Sequence, residues 1–216
     1  PSSEATVWTI TCLALPVGLY LAIAMMSKTH QGFRHVLPVY PILFIAIGIA
    51  ASIAWRRSRV LGRLLIGLLA IGLATETARA FPDYIPFFNT AAGGSRGGLR
   101  LLSESNLDWG QDLPLLAKWQ REHPDRKLYL SYFGTADPAH YGVGGVGAID
   151  VRETKLDQRE ERWPAEAGAV LAVSASYLQG VAGEPQTRPF YRTFRDRAPL
   201  AVLGGSIYLF DLSPGK

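Results

Sequence analysis

Residues 7–26 and 36–55 are two twenty-residue runs without a charged side chain. At about 1.5 Å of rise per residue, a helix of about that length crosses the roughly 30 Å hydrocarbon core of a bilayer. Lipid offers no partner to a backbone amide or carbonyl, so a run held there must be helical and satisfy its own hydrogen bonds. A third span is expected from Val60 to about Ala80. Its charge-free stretch runs from Leu64 to Thr75, with Arg63 and Arg79 placed to snorkel toward headgroups.

Charge divides the chain in the same place. Residues 81–216 hold 31 of the 40 Asp, Glu, Lys and Arg residues, so the net charge of +4 resolves into +5 for residues 1–80 and −1 for the remainder. The basic balance therefore reports membrane orientation and phospholipid contact, and it argues against a nucleic-acid surface. Arg56, Arg57, Arg59 and Arg63 lie between spans two and three, against Lys28 and Arg34 between spans one and two. By the positive-inside rule the richer loop is cytoplasmic, which puts the C-terminal region outside. Phe81, Tyr84, Phe87 and Phe88 then stand where an interfacial aromatic belt would lie. The expected organisation is a transmembrane region over 1–80, an interfacial segment and glycine-rich linker over 81–98, and an extracytoplasmic domain over 99–216. The single cysteine, Cys12, lies in the first run and excludes an intrachain disulfide or a cysteine metal site. A start at Pro1-Ser2-Ser3-Glu4 reads as the C-terminal part of something longer.

Within the polar region, a strand is expected near Leu99–Ser103. A helix follows from about Asp112 to Glu122, with Asp112 as an N-cap and Pro114 in the first turn. Lys127–Phe133 and Ala169–Ser174 read as strands, the second apolar enough to be covered on both faces. Leu200–Leu203 and Ser206–Asp211 flank Gly204-Gly205 as a closing hairpin. The fold class is thus a membrane α-helical region of about three transmembrane helices followed by a small α/β domain with a mixed sheet. Residues 150–166 carry ten charges in seventeen positions and read as a solvated loop or exposed helix.

Gly142-Val143-Gly144-Gly145-Val146-Gly147 matches a dinucleotide fingerprint, but no strand leads directly into it, so nucleotide binding is discounted. His123 and His140 lack a ligand partner at helical spacing, which argues against zinc. Two constellations stand out. In Gly32-Phe33-Arg34-His35-Val36-Leu37-Pro38-Val39-Tyr40-Pro41, Arg34, His35 and Tyr40 sit at the head of a span. There a guanidinium fork could hold a lipid-linked phosphate, or the cations could simply anchor the loop. In Ser103–Leu113, the residues Asn106, Asp108, Trp109, Gln111 and Asp112 combine carboxylates, amides and an indole suited to sugar hydroxyls and a sugar's C–H face. The structural alternative is that Asp112 caps the helix, Asn106 and Asp108 shape a turn and Trp109 fills the core.

The segments G-F-R-H-V-L-P-V-Y-P (32–41), F-P-D-Y-I-P-F-F-N (81–89), S-N-L-D-W-G-Q-D-L (105–113), Y-F-G-T-A-D-P (132–138) and S-A-S-Y-L-Q-G-V (174–181) carry a family resemblance. Together they resemble the C-terminal part of bacterial membrane glycosyltransferases related to the family 39 protein mannosyltransferases and aminoarabinose transferase. The resemblance implies transfer of a sugar from a polyprenyl phosphate to an acceptor hydroxyl of a glycan or protein on the outer face. It leaves room for a divalent metal in the longer enzyme. The catalytic aspartate of that family would lie upstream, so no catalytic residue is assigned and this piece alone is expected to be inactive. The alternative from another class is a non-catalytic membrane-anchored module that binds glycan or protein; a transporter piece, a third class, would need intramembrane polar residues that spans one and two mostly lack.

Overall fold

The computed structural model describes residues 2–27, 32–144, 149–150, 168–183 and 185–212. The chain divides into two compact units, Pro1–Ala78 and Arg79–Lys216.

The first unit is built from helices α1 (Ser3–Met26), α2 (Tyr40–Arg57) and α3 (Arg59–Ala80), each long and apolar enough to cross a membrane. Ser2 caps α1, its hydroxyl accepting from the Ala5 amide at 3.3 Å. A 3-10 helix over Gly32–Val39 runs straight into α2 and lengthens span two to Gly32–Arg57. Leu and Ile side chains on all three helices are largely exposed, so no protein core covers them. Faces of this kind are stable only in an apolar solvent, and the chain is a membrane protein.

The second unit opens with short turns rather than an open linker. A 3-10 turn over Thr90–Ala92, the one-turn helix α4 (Gly94–Gly97) and a 3-10 turn over Gly98–Arg100 occupy the glycine-rich stretch. Gly98 is buried so closely against Leu107 and Phe88 that a Cβ would overlap both side chains. The strand expected near Leu99–Ser103 is absent, because the Leu99 and Leu102 carbonyls accept from Gln179 Nε2 at 2.8 and 2.7 Å instead of from a neighbouring strand.

Helix α5 (Leu113–Glu122) leads to a five-stranded sheet of order β2-β1-β3-β5-β4. Its strands are β1 (Leu128–Ser131), β2 (Ile149–Asp150), β3 (Val170–Ser174), β4 (Ala201–Leu203) and β5 (Ile207–Asp211). Strands β2, β1 and β3 are parallel, while β5 runs antiparallel to β3 and β4 to β5, giving the mixed sheet. Between β3 and β4 lie the one-turn helix α6 (Ala175–Leu178) and helix α7 (Arg188–Arg195).

The period-two alternation of strands sorts the core into two layers. Tyr129, Leu171, Val173, Tyr208 and Phe210 face α6 and α7, meeting Tyr177, Leu178, Tyr191 and Phe194. Leu128, Leu130, Val170, Ala172, Ile207 and Leu209 face the other way, onto Leu113, Leu116, Ala117 and Trp119. The central strand β3 is buried throughout, which is why its sequence is apolar without alternation. At the amino ends of β1 and β3, Arg126 donates Nε to the Gly168 carbonyl (3.0 Å) and pairs through Nη2 with Asp211 Oδ2 (3.1 Å), tying the strands together. Residues 151–166 of the charged stretch lie outside the described residues.

Candidate functional site

The chain leaves the carboxyl end of β1 toward β2 on one side and the carboxyl end of β3 toward β5 and β4 on the other. Adjacent parallel strands whose connections diverge leave a crevice outside their carboxyl ends, the usual ligand position in open α/β sheets. The 105–112 loop covers that crevice.

Asp108 lies at its centre and is 1% exposed. One carboxylate oxygen accepts from the Gly110 amide at 3.0 Å and the other from the Ser176 amide, just beyond β3, at 3.4 Å. Burial lifts its pKa to about 6 against the opposing pull of the Gly110 and Ser176 amides and the Ser176 and Ser174 hydroxyls. Tyr132, just past β1, donates its hydroxyl to the Gly110 carbonyl at 2.8 Å. Burial, followed by the charge of Asp108, holds that phenol above its ordinary range. Gly110 has a φ of +74°, and a Cβ there would overlap the Tyr132 hydroxyl, so this turn admits only glycine without rearrangement.

With Asp108 and Gly110 fixed, Trp109 between them points outward and is 56% exposed. Its indole Nε1 donates to the Ser105 carbonyl at 2.8 Å, and its amide donates to Gln111 Oε1 at 2.8 Å. Gln111 in turn donates to the Leu107 carbonyl at 3.0 Å, and Asn106 Nδ2 to the Ser103 carbonyl at 2.8 Å. The result is an aromatic plate whose polar edge is tied down while more than half of the residue's surface meets solvent. The core-filling alternative for Trp109 is therefore overturned.

Asp112 leaves this group. Although it precedes α5, its side chain makes no cap bond; it accepts from the Ser206 amide (3.2 Å) and hydroxyl (2.6 Å) at the β4–β5 turn. Its role is to lock that hairpin, and burial raises its pKa despite the two Ser206 bonds. The structure thus gathers Asn106, Asp108, Trp109 and Gln111 and sends Asp112 elsewhere. Tyr132, Ser174 and Ser176 are the residues that local reading missed as site members. Their signal was positional, since each follows or ends a parallel strand.

In the first unit, Arg34 is exposed and His35 half-buried on the 3-10 helix before α2. The His35 Nε2 atom is buried without a hydrogen-bond partner. Tyr40 opens α2 with its ring edge-on to Phe33 (5.3 Å) and Phe44 (5.8 Å). Gly142 ends a 3-10 turn over Pro138–Tyr141 and Val143 is in the core, so the first half of the dinucleotide-like motif is structural; residues 145–148 lie outside the described residues. Among the described residues no cluster of three or more His, Cys, Asp or Glu side chains could hold a metal.

The fold and the site define an integral membrane protein that displays an aromatic shelf on a mixed α/β unit. Comparison with known proteins gives a narrower likeness. The chain is similar to the "PTS system N-acetylmuramic acid-specific EIIBC component" of Escherichia coli (strain K12), 34% identical over 110 residues that cover 40% of this chain and 22% of that protein. The protein of the same name from Shigella flexneri matches to the same extent. The match thus spans about a fifth of the length of these curated relatives. No family model matches the chain. No solved structure matches it. These findings overturn the expectation of a polyprenyl-phosphate glycosyltransferase: the proteins matched are named for a PTS system, and the family resemblance of the five quoted segments is withdrawn with the activity it implied.

Proposed function

We propose that this chain is part of a membrane sugar-transport protein and that its second unit receives the sugar on the Trp109 plate. The observation that carries this reading is the exposed Trp109, its indole Nε1 bonded to the Ser105 carbonyl, next in sequence to the buried Asp108 carboxylate that binds the amides of Gly110 and Ser176. An indole held through its Nε1–H and its own backbone amide loses little entropy on stacking against a sugar's C–H face, and Asn106 and Gln111 lie in the same loop. The buried Asp108 is set to shape the loop through the Gly110 and Ser176 amides rather than to touch the ligand. The partial likeness to proteins named for N-acetylmuramic acid supports a sugar of that class as the first ligand to try.

The reading includes an inner bacterial membrane with the second unit on the outer side, as the arginines between spans two and three favour. Arg34, His35 and Tyr40 are proposed to meet a lipid phosphate at the head of span two. Orientation is testable by placing a cysteine at the exposed Thr193 in a Cys12→Ser background and treating intact cells with a membrane-impermeant maleimide. Labelling before lysis is expected; labelling only after lysis would put the unit inside.

Binding is tested by titrating the full chain in detergent with N-acetylmuramic acid and with glucose, read by calorimetry. We expect saturable binding of at least one sugar, weakened about tenfold or more by Trp109→Ala. Equal affinity in parent and variant would remove the Trp109 plate as the site, and no binding of either sugar by folded protein would count against the sugar reading.

A further inference from the structure

Among the described residues, no acidic side chain forms an ion pair with the arginines of helix α7. Its sequence is R-P-F-Y-R-T-F-R, with Tyr191 and Phe194 buried and Phe190 half-buried against the sheet. Arg188, Arg192 and Arg195 recur at i, i+4 and i+7, so they form one stripe, and all three are exposed. Arg197 follows with its guanidinium over the Phe194 ring at 5.0 Å. Asp196 is the one acidic residue in 188–197, in a region whose overall balance over 81–216 is −1.

Ordinary helix electrostatics explains only part of this. Cations in the last turn complement the helix dipole, which accounts for Arg192 and Arg195. Arg188 stands in the first turn, at the positive end of the dipole, and no acidic residue accompanies it there. Like charges at i, i+3 and i, i+4 repel, so the stripe opposes its own helix. Among the described residues the ion pairs are Lys118–Glu122 and Arg126–Asp211, and neither involves α7. Arg195 is partly engaged, donating Nε to the Leu178 carbonyl at 3.1 Å. Between the others lies an open groove of about 380 Å³ lined by Pro185, Arg188, Pro189, Arg192 and Thr193.

We propose that this arginine face binds anionic phospholipid headgroups. Seven residues of helix span about 10 Å, longer than one phosphate, so the stripe fits a row of phosphates better than a single small anion. A bilayer surface presents such a row, and the three spans keep one always within reach of the chain. Arginine's planar fork pairs with phosphate oxygens in two-point contacts, and the open groove admits a headgroup without a fitted pocket. The inference is independent of the sugar reading.

The full chain would be placed in nanodiscs of phosphatidylcholine alone or mixed with phosphatidylglycerol, and amide hydrogen exchange followed peptide by peptide. Exchange in 188–195 should be about fivefold or more slower in the anionic discs, with the difference removed by high salt. In Arg188→Gln/Arg192→Gln it should vanish, while β3 amides keep their protection and certify the fold. Equal exchange in both disc types, or a lipid effect that survives in the variant, would overturn the proposal. Inorganic phosphate or a sugar phosphate added to the neutral discs distinguishes the sources: if either protects 188–195 as fully as the anionic lipid does, the ligand is a soluble phosphate and the lipid assignment fails.

Discussion

Gly204→Ala is expected to destabilise the second unit by about 3 kcal/mol. The β4–β5 turn holds Gly204 at a φ of +55° and Gly205 at +89°, and the Ser206 amide closes it on the Leu203 carbonyl at 3.2 Å. Two positive φ values in succession are what a tight hairpin of this hand requires. An alanine at the first position costs roughly 1–2 kcal/mol in backbone strain alone. Its Cβ would also overlap the Asp112 carboxylate, which receives the amide and hydroxyl of Ser206. Displacing that carboxylate leaves buried polar groups without partners, at about 1–3 kcal/mol more. Gly142→Ala is the control, since Gly142 has a comparable φ of +79° but open space around its Cα. It should lose only the strain, about 1 kcal/mol. Denaturant midpoints followed by near-ultraviolet circular dichroism would compare them, and equal losses in the two variants would reject the Asp112 contact as the cause.

Asp108→Asn is expected to stabilise the unit at neutral pH and to flatten its pH dependence. Burial pushes the Asp108 carboxyl up to about 6 in the folded protein, from an ordinary 3.8. Between roughly pH 4 and 6 the folded state therefore holds a proton that the unfolded chain has released. Stability falls as pH rises through that window, and the whole penalty, about 3 kcal/mol, is present above it. The asparagine keeps an oxygen to accept from the Gly110 or Ser176 amide and carries no charge to bury. A gain of about 1–3 kcal/mol at pH 7, with little change at pH 4, should follow. Asp112 is shifted in the same direction and adds to the slope of both proteins, so the difference between variant and parent isolates Asp108. A variant that loses stability at pH 7 while retaining the full slope would refute the argument.

The membrane spans were legible because length and the absence of charge are local properties, and no contact is needed to read them. The α5 helix, the strands β1 and β3 and the closing hairpin were legible for the same reason. Their apolar runs, Pro114 and the Gly204-Gly205 pair act within a few residues. The failures share the opposite cause. Leu99–Ser103 has strand-like composition, yet Gln179, some eighty residues on, takes its carbonyls. Asp112 has the type and position of an N-cap, but Ser206 offers it an amide and a hydroxyl together from across the sheet. Trp109 was left open between a sugar-stacking face and a core position; the bonds of Asp108 and Tyr132 to Gly110 fix the loop with the indole outward.

What the sequence determined by itself, then, was that the chain must sit in a bilayer and carry a mixed α/β unit, because hydrophobic length and periodicity act along the chain. What only the tertiary structure decided was which of the clustered polar residues share a site. Strand order places the ends of β1 and β3 side by side, where Asp108 is buried with a raised pKa and Trp109 is left exposed, while the β4–β5 turn draws Asp112 away through Ser206. Desolvation and hydrogen-bond partners come from residues distant in sequence, so no local pattern could have assigned them.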